Sequence, residues 1–458
     1  MKKILNSISR CSSVVFPYSR LIWHHSAGFG RQIMKISLIG ALLLDVGCGV
    51  PEEESRTREA WDKWNDPTIL EEFGIGGMSK FKTRLTELPE KSSIDLDFVW
   101  SGDYWPSYLG GISQRWNYEG WERENIAGYK ILSKKEVLEG DEALISGLSP
   151  AEKYDILSGD YSFALTRHER ARTGIMKTFE SSEHYEEGYV IPEWEGLCHG
   201  WAPATIAFEE PKPIEYESDQ GVKVKLYSSD IKALLTFLYH YQSPNSTILG
   251  KRCNEDPPED MDALYYKVER GEVDLRDYQE SLRKEYVTGK ISFGEYRRSL
   301  AEARSVESCM DSNAGAFHIV LTNQIGRMQQ GFVMDVTREA EVWNQGVVGY
   351  EAVQVARFES GDLSPGVAAG TVAEVQYKTT VFYISEVSTH KSPADYLKSS
   401  AIVPIEYEYK LELDGDGQVL GGSWVSYDRP DFLWKQDKPK FKGYFELLGK
   451  IYKASTRG

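Results

Sequence analysis

Apolar spacing divides this chain into a helix-rich stretch followed by a sheet-rich one. LSPAEKYDILSGDYSFALTRHER (148–170) has Ser149 to cap a first turn and Pro150 at the first helical position, so a helix is predicted there, with helical periodicity running on to about residue 180. SSDIKALLTFLYHYQ (228–242) repeats its apolar residues at helical spacing behind a Ser/Asp cap. Between 271 and 300 the segment GEVDLRDYQESL recurs as GKISFGEYRRSL, which predicts a charged helical hairpin inserted at the surface. From 314 onward the runs AFHIVLTNQI, GFVMDVTR, EAVQVARFE, TVAEVQYKTTVFYIS and PIEYEYKLELDGDGQVLGGSWV alternate β-branched and aromatic residues between Gly/Asp turns, and each reads as a strand. Helices first and strands second make the chain α+β rather than an alternating βαβ protein.

The 458 residues are too many for one ordinary domain. The divisions expected are a signal segment over 1–47, a linker with N-terminal helices over 48–90, a helix-rich half over 91–260, the charged repeat over 261–306 and a sheet-rich half over 307–458. Residues 91–150 are crowded with Trp, Tyr and Gly. Tyr104-Trp105-Pro106 beside Gly110-Gly111 reads as a rigid loop, and its aromatics serve either as core or as the wall of a cleft.

Charge narrows the partners. A formal net charge of -17 excludes duplex nucleic acid as an expected ligand and favours cationic partners such as exposed lysines. The N-terminus runs against that balance: residues 1–44 hold no Asp or Glu, and the basic Met34-Lys35 is followed by ISLIGALLLDVGC. That order of charge, apolar core and small-residue exit predicts export. Cys48, after Val46-Gly47, is a candidate lipid anchor, although Asp45 stands where such sites usually carry Leu. Two other readings stay open: translation from Met34, and a short buried helix.

The cysteines then carry information. Cys253 and Cys309 lie in polar, turn-like settings and are the natural disulfide pair of an exported protein, which leaves Cys198 as the odd thiol. In EGLCHGWAPA, Gly196 permits a sharp approach and a helix-compatible run follows, so Cys198 is expected at a helix N-terminus. There the helix dipole would favour thiolate, and free N–H groups could hold an oxyanion. His318, 120 residues downstream, is read as opening a strand, and Asp335 follows 17 residues later as a polar residue in an apolar strand. A hairpin would set the two side by side, the carboxylate orienting an imidazole base for the thiol. His199 is a rival base. His168, His184, His240 and His390 show no zinc spacing.

EVWNQGVVGYEAVQ (341–354) resembles the surface peptide of the transglutaminase-elicitor family found in oomycetes and bacteria, through Val342, Trp343, Asn344, Gln345, Val347, Gly349 and Tyr350. Gly346 replaces a family Pro, and Val348 a basic residue. YWPSYLGGISQRW, EGLCHGWAPA, AGAFHIVLTNQIG, FVMDVTR and LELDGDGQVLGGSW extend the resemblance over roughly residues 95–430. It implies a papain-like core, with the helix bearing the cysteine facing an antiparallel sheet that bears the base. It also implies secretion and a calcium-dependent transfer of protein glutamine to protein lysine through a cysteine thioester. The family cysteine maps onto Cys198, with His318 and Asp335 completing the set and Tyr104, Trp105 and Trp201 as candidate substrate walls. Pro192 stands where papain-like enzymes place an oxyanion-hole glutamine. No calcium ligands are assignable: Asp414-Gly415-Asp416-Gly417 reads as a hairpin turn, and Glu255, Asp256, Glu259 and Asp260 lack ligand spacing. A cysteine protease or deamidase with the same triad, and a non-enzymatic surface adhesin, are the rival readings.

Overall fold

In the computed structural model the described residues are 81–116, 123–252, 264–269, 275–308, 312–337, 341–364, 367–387 and 401–457, with single positions and short stretches between 61 and 71 and at 273. The signal segment, Cys48, the proposed Cys253–Cys309 pair, the 255–260 acidic cluster and His390 lie outside them.

The helices are α1 (Arg123–Ala127), α2 (Lys134–Leu138), α3 (Glu142–Ser146), α4 (Pro150–Leu157), α5 (Ala164–Thr173), α6 (Cys198–Ala207), α7 (Ser228–Gln242), α8 (Leu264–Glu269), α9 (Leu275–Val287), α10 (Phe293–Ser308), α11 (Ala314–Leu321) and α12 (Glu446–Thr456). Ser149 and Glu152 form a reciprocal cap on α4, with Pro150 in its first turn, as the sequence predicts. The buried start of α7 is tied into the body by Asp230, which accepts from Lys153 Nζ at 2.7 Å, Trp116 Nε1 at 2.7 Å and the Tyr227 N–H at 2.8 Å. Helices α9 and α10 carry the repeat, and α8 and α10 close over a small core of their own, Leu264, Ala303 and Val306.

The strands are β1 (Lys91–Ser93), β2 (Ile214–Glu217), β3 (Lys223–Leu226), β4 (Ser246–Gly250), β5 (Phe332–Asp335), β6 (Asn344–Glu359), β7 (Ala373–Ile384), β8 (Ile402–Leu413), β9 (Val419–Trp424) and β10 (Phe432–Gln436). Eight of them form one antiparallel sheet in the order β4-β10-β5-β6-β7-β8-β9, with β1 beside β6. β2 and β3 form a separate hairpin. β1 and β4 come from the helix-rich half, so both halves build one sheet.

One expected strand is a helix. Asn313 caps it, its side chain accepting from Gly315 N–H at 2.9 Å and Ala316 N–H at 3.3 Å, and AGAFHIVL runs as α11 into a π-helical turn, Thr322–Arg327. All eight residues of α11 are buried. A uniformly apolar run has no period to read, so here the cap decides.

Because side chains alternate across a strand, register separates the two faces of the sheet. A Cβ on Gly346 would meet Ala202, Thr205 and Ile206, so α6 covers the Gly346 face. Gly346 pairs with Ile384, which puts Ile384, Phe382 and Thr380 on that face and Tyr383, Val381, Thr379 and Tyr377 on the other. The α11 rings Phe317 and His318 pack on Tyr407, Tyr409 and Tyr377, and so α11 covers the opposite face.

Candidate functional site

Cys198 is the first residue of α6, as its surroundings in the sequence predict. The turn that delivers it is pinned by Leu197, whose N–H bonds the Tyr104 carbonyl at 2.7 Å. Gly196 is required there: a Cβ would lie 2.6 Å from the Tyr104 ring and 2.7 Å from its carbonyl oxygen. Gly200 likewise lets α6 cross α7, since a Cβ would come 2.5 Å from the Thr236 carbonyl. The thiol is half-buried.

Beneath it lies the start of β6. Asn344 donates from Nδ2 to Cys198 Sγ at 3.6 Å, and the thiol lies 4.0 Å from the Val342 carbonyl, towards which it donates. The amide's orientation is fixed from behind. Trp434 Nε1, a donor only, reaches Asn344 Oδ1 at 2.7 Å and leaves the amide nitrogen for sulfur.

Asp335 pairs with Asn344 in the β5–β6 register and shares the α6 face. Its Oδ1 accepts the Trp343 N–H at 3.0 Å, while Oδ2 is buried with no hydrogen-bond partner. Burial drives its carboxyl up to about 8, opposed by the N–H groups of Trp343 and Thr337 and the charge of Arg252, and reinforced by the charge of Asp431. On the other flank, Gly346–Ile384 is the last β6–β7 pair, and two residues further along each strand stand Asn344 and Glu386. Gln345 Nε2 donates to both Glu386 carboxylate oxygens, at 2.8 and 2.9 Å. Burial raises the Glu386 carboxyl as well. Asp335 and Asn344 are thus paired across adjacent strands under the thiol, and Glu386, just past the end of β7, lies near enough for its charge to act on it.

This setting reverses one expectation. Burial pushes the Cys198 thiol up, the Asn344 hydrogen bond opposes that, and the charges of Glu386 and Asp335 add to it. Desolvation and two carboxylates outweigh the helix end, so the resting group is a thiol that needs a base.

The expected pairing of His318 with Asp335 is not formed. His318 lies in α11, on the other side of the sheet, with its Nδ1 2.7 Å from the Tyr409 hydroxyl, which is itself 2.8 Å from Thr379 Oγ1. Its ring lies 5.1 Å from that of Tyr377, and burial depresses it to about 3, so it is neutral. His199, the rival base, is engaged with His240 through Nε2···Nδ1 at 2.8 Å. Burial, then neighbouring positive charge, takes both of these imidazoles down to about 4.

Trp105 and Trp201 are fully buried, and Trp105 packs edge-on against Trp116 at 5.9 Å, a core role. Tyr104 is half-buried beside Gly196, its hydroxyl donating to the Glu193 carbonyl at 2.7 Å. The segment that resembles a surface peptide is mostly interior: Asn344, Gln345, Val347, Val348 and Tyr350 are buried, and Trp343 is half-buried. Its Asn344 is the residue that reaches the thiol. The sequence singled Asn344 out without linking it to Cys198, and it gave no signal for Glu386.

Among the described residues, no group of three or more His, Cys, Asp or Glu side chains could hold a metal ion. The Asp414–Gly417 turn closes on itself, with Asp414 Oδ1 accepting the N–H groups of Asp416 and Gln418. These residues do not fit a calcium ion. No described helix is long and apolar enough to cross a membrane.

No curated protein sequence matches the chain. A similar solved structure is the crystal structure of the GP42 transglutaminase from Phytophthora sojae, with a TM-score of 0.54 and 21% identity over 82% of this chain and 94% of that one. The family model described as Transglutaminase elicitor matches residues 69–277 and 292–452, leaving out most of α9 and the turn that joins it to α10. That match spans most of the sequence, and the chain belongs to the transglutaminase elicitor family.

Proposed function

We propose that this protein is an acyltransferase that joins a protein glutamine to a protein lysine through a thioester on Cys198, with Asp335 as the acid–base group. The observation that carries the reading is the free Oδ2 of Asp335, on the same sheet face as the amide that holds the thiol. In the first step Asp335 takes the Cys198 proton, and sulfur attacks the γ-carbonyl carbon of a glutamine side chain. The C–N bond then breaks, and Asp335 returns the proton to the departing nitrogen, which leaves as ammonia. A base whose pKa lies close to the working pH suits this transfer, and such help is typically worth ~10²–10⁴-fold. In the second step a lysine amine attacks the thioester carbon, the C–S bond breaks, and an isopeptide bond remains.

Family membership supports export of the protein, and the N-terminal apolar segment is its signal, with Cys48 as a candidate lipid anchor. Incorporation of a fluorescent primary amine into casein, compared with the Cys198→Ala variant, tests the function. The wild type should label casein and the variant should not. Cleavage of casein without labelling would make the protein a protease, and ammonia release without labelling would make it a deamidase.

A further inference from the structure

The acceptor side of the site pairs an acid that has no cationic partner with amide and carboxyl oxygens that have no donor. Glu386 receives hydrogen bonds from the Gln345 amide and from its own backbone N–H, and among the described residues no Lys, Arg or His forms an ion pair with it. Gln345 is itself buried, and its Oε1 has no partner. Asp335 Oδ2 is a second buried acceptor without one. Buried acceptors are nearly always satisfied, so two left unpaired, together with an acid that no cation neutralises, imply a donor-rich group that arrives from outside. A primary ammonium carries three N–H donors and the positive charge these acids lack. Glutamine, the acyl donor, carries no charge to match.

From this arrangement, we propose that Glu386, clamped by Gln345, is the residue that selects a cationic amine over water as the acceptor; the proposal rests on the transferase reading above. Glu386 takes one proton from the incoming ammonium. The freed amine attacks the thioester carbon, the carbon–sulfur bond breaks, and the departing sulfur receives the second proton lost by nitrogen. The products are the isopeptide, the Cys198 thiol and protonated Glu386. That last proton leaves with the ammonia of the next acylation, as ammonium. Water, with no charge, gains nothing from Glu386, and hydrolysis stays the minor outcome.

The test reads how one thioester divides between acceptors, a ratio that does not depend on how fast the thioester forms. A glutamine peptide is incubated with cadaverine, or with hydroxylamine, which is uncharged at neutral pH, and the amine adduct and the deamidated product are quantified by mass spectrometry. Glu386→Gln should lower the adduct-to-deamidation ratio for cadaverine by about tenfold or more, the typical weight of a charge-assisted hydrogen bond. The hydroxylamine ratio should move by no more than about twofold. Glu386→Asp, which keeps the charge, should stay between wild type and Glu386→Gln. An equal fall for both amines, or no change for either, overturns the proposal. So does loss of thioester formation in both variants, which would place Glu386 in the acylation step. A wild-type protein that releases no ammonia from the peptide fails earlier, at the transferase reading itself.

Discussion

The two faces of the central sheet treat buried polar groups in opposite ways. On the α11 face, His318, Tyr409 and Thr379 form a closed chain of hydrogen bonds inside an aromatic core, neutral and satisfied. On the α6 face, Asp335 keeps a buried acceptor without a partner beside a half-buried thiol. A polar group that is fully paired can hold a core together, whereas one left unpaired costs stability and is available to a substrate. Residue type alone does not separate the framework from the chemistry here, since the histidine lies on the framework side.

The largest effect expected from this contrast falls on Asp335. Asp335→Asn keeps the shape and removes the base, and amine incorporation into casein should fall by ~10²–10⁴-fold. The fold should not weaken through loss of charge. Because burial raises this carboxyl in the folded protein, ionising it opposes folding, and its contribution to stability fades as pH rises from about 4 towards about 8. The Asn variant should therefore flatten the decline in melting temperature across that window.

His318 should behave in the opposite sense. His318→Gln removes one of the two partners of the buried Tyr409 hydroxyl and disturbs the aromatic packing around it, and should cost roughly 1–3 kcal/mol in chemical denaturation. Amine incorporation per folded molecule should stay within about threefold of wild type. His318 is held neutral, its pKa depressed to about 3, so its contribution is present above the unfolded value near 6.5 and is lost as pH falls towards 3. The variant should accordingly lose less stability on acidification than the wild type. An incorporation rate that collapses in the folded variant would return His318 to the site.

Much of this was legible in the sequence, for identifiable reasons. Cys198 stood out because Gly196 and the small residues after it mark a close-packed helix start. Asp335 stood out as an acid in the apolar run FVMDV, and its strand is where the alternation puts it. His318 was misassigned because GAFHIVL is apolar on every side, and only the Asn313 cap distinguishes a buried helix from a buried strand there. With the wrong element came the wrong face. Asn344 was visible only as part of a resemblance, since its role depends on Trp434, 90 residues further along the chain. Glu386 lies just past the end of β7 in an unremarkable polar stretch, and only the folded chain brings it to Gln345 and near the thiol.

The central claim is that Cys198 shares its proton with Asp335 and not with His318. The direct measurement is the pH dependence of Cys198 alkylation by iodoacetamide in the wild type, Asp335→Asn and His318→Gln. In the Asp335→Asn variant the thiol loses a neighbouring negative charge, so its titration midpoint should move to lower pH and alkylation near neutrality should speed up, even as amine incorporation collapses. His318→Gln should leave the profile where it is in the wild type. A midpoint that shifts with His318→Gln and stays fixed with Asp335→Asn would contradict the account.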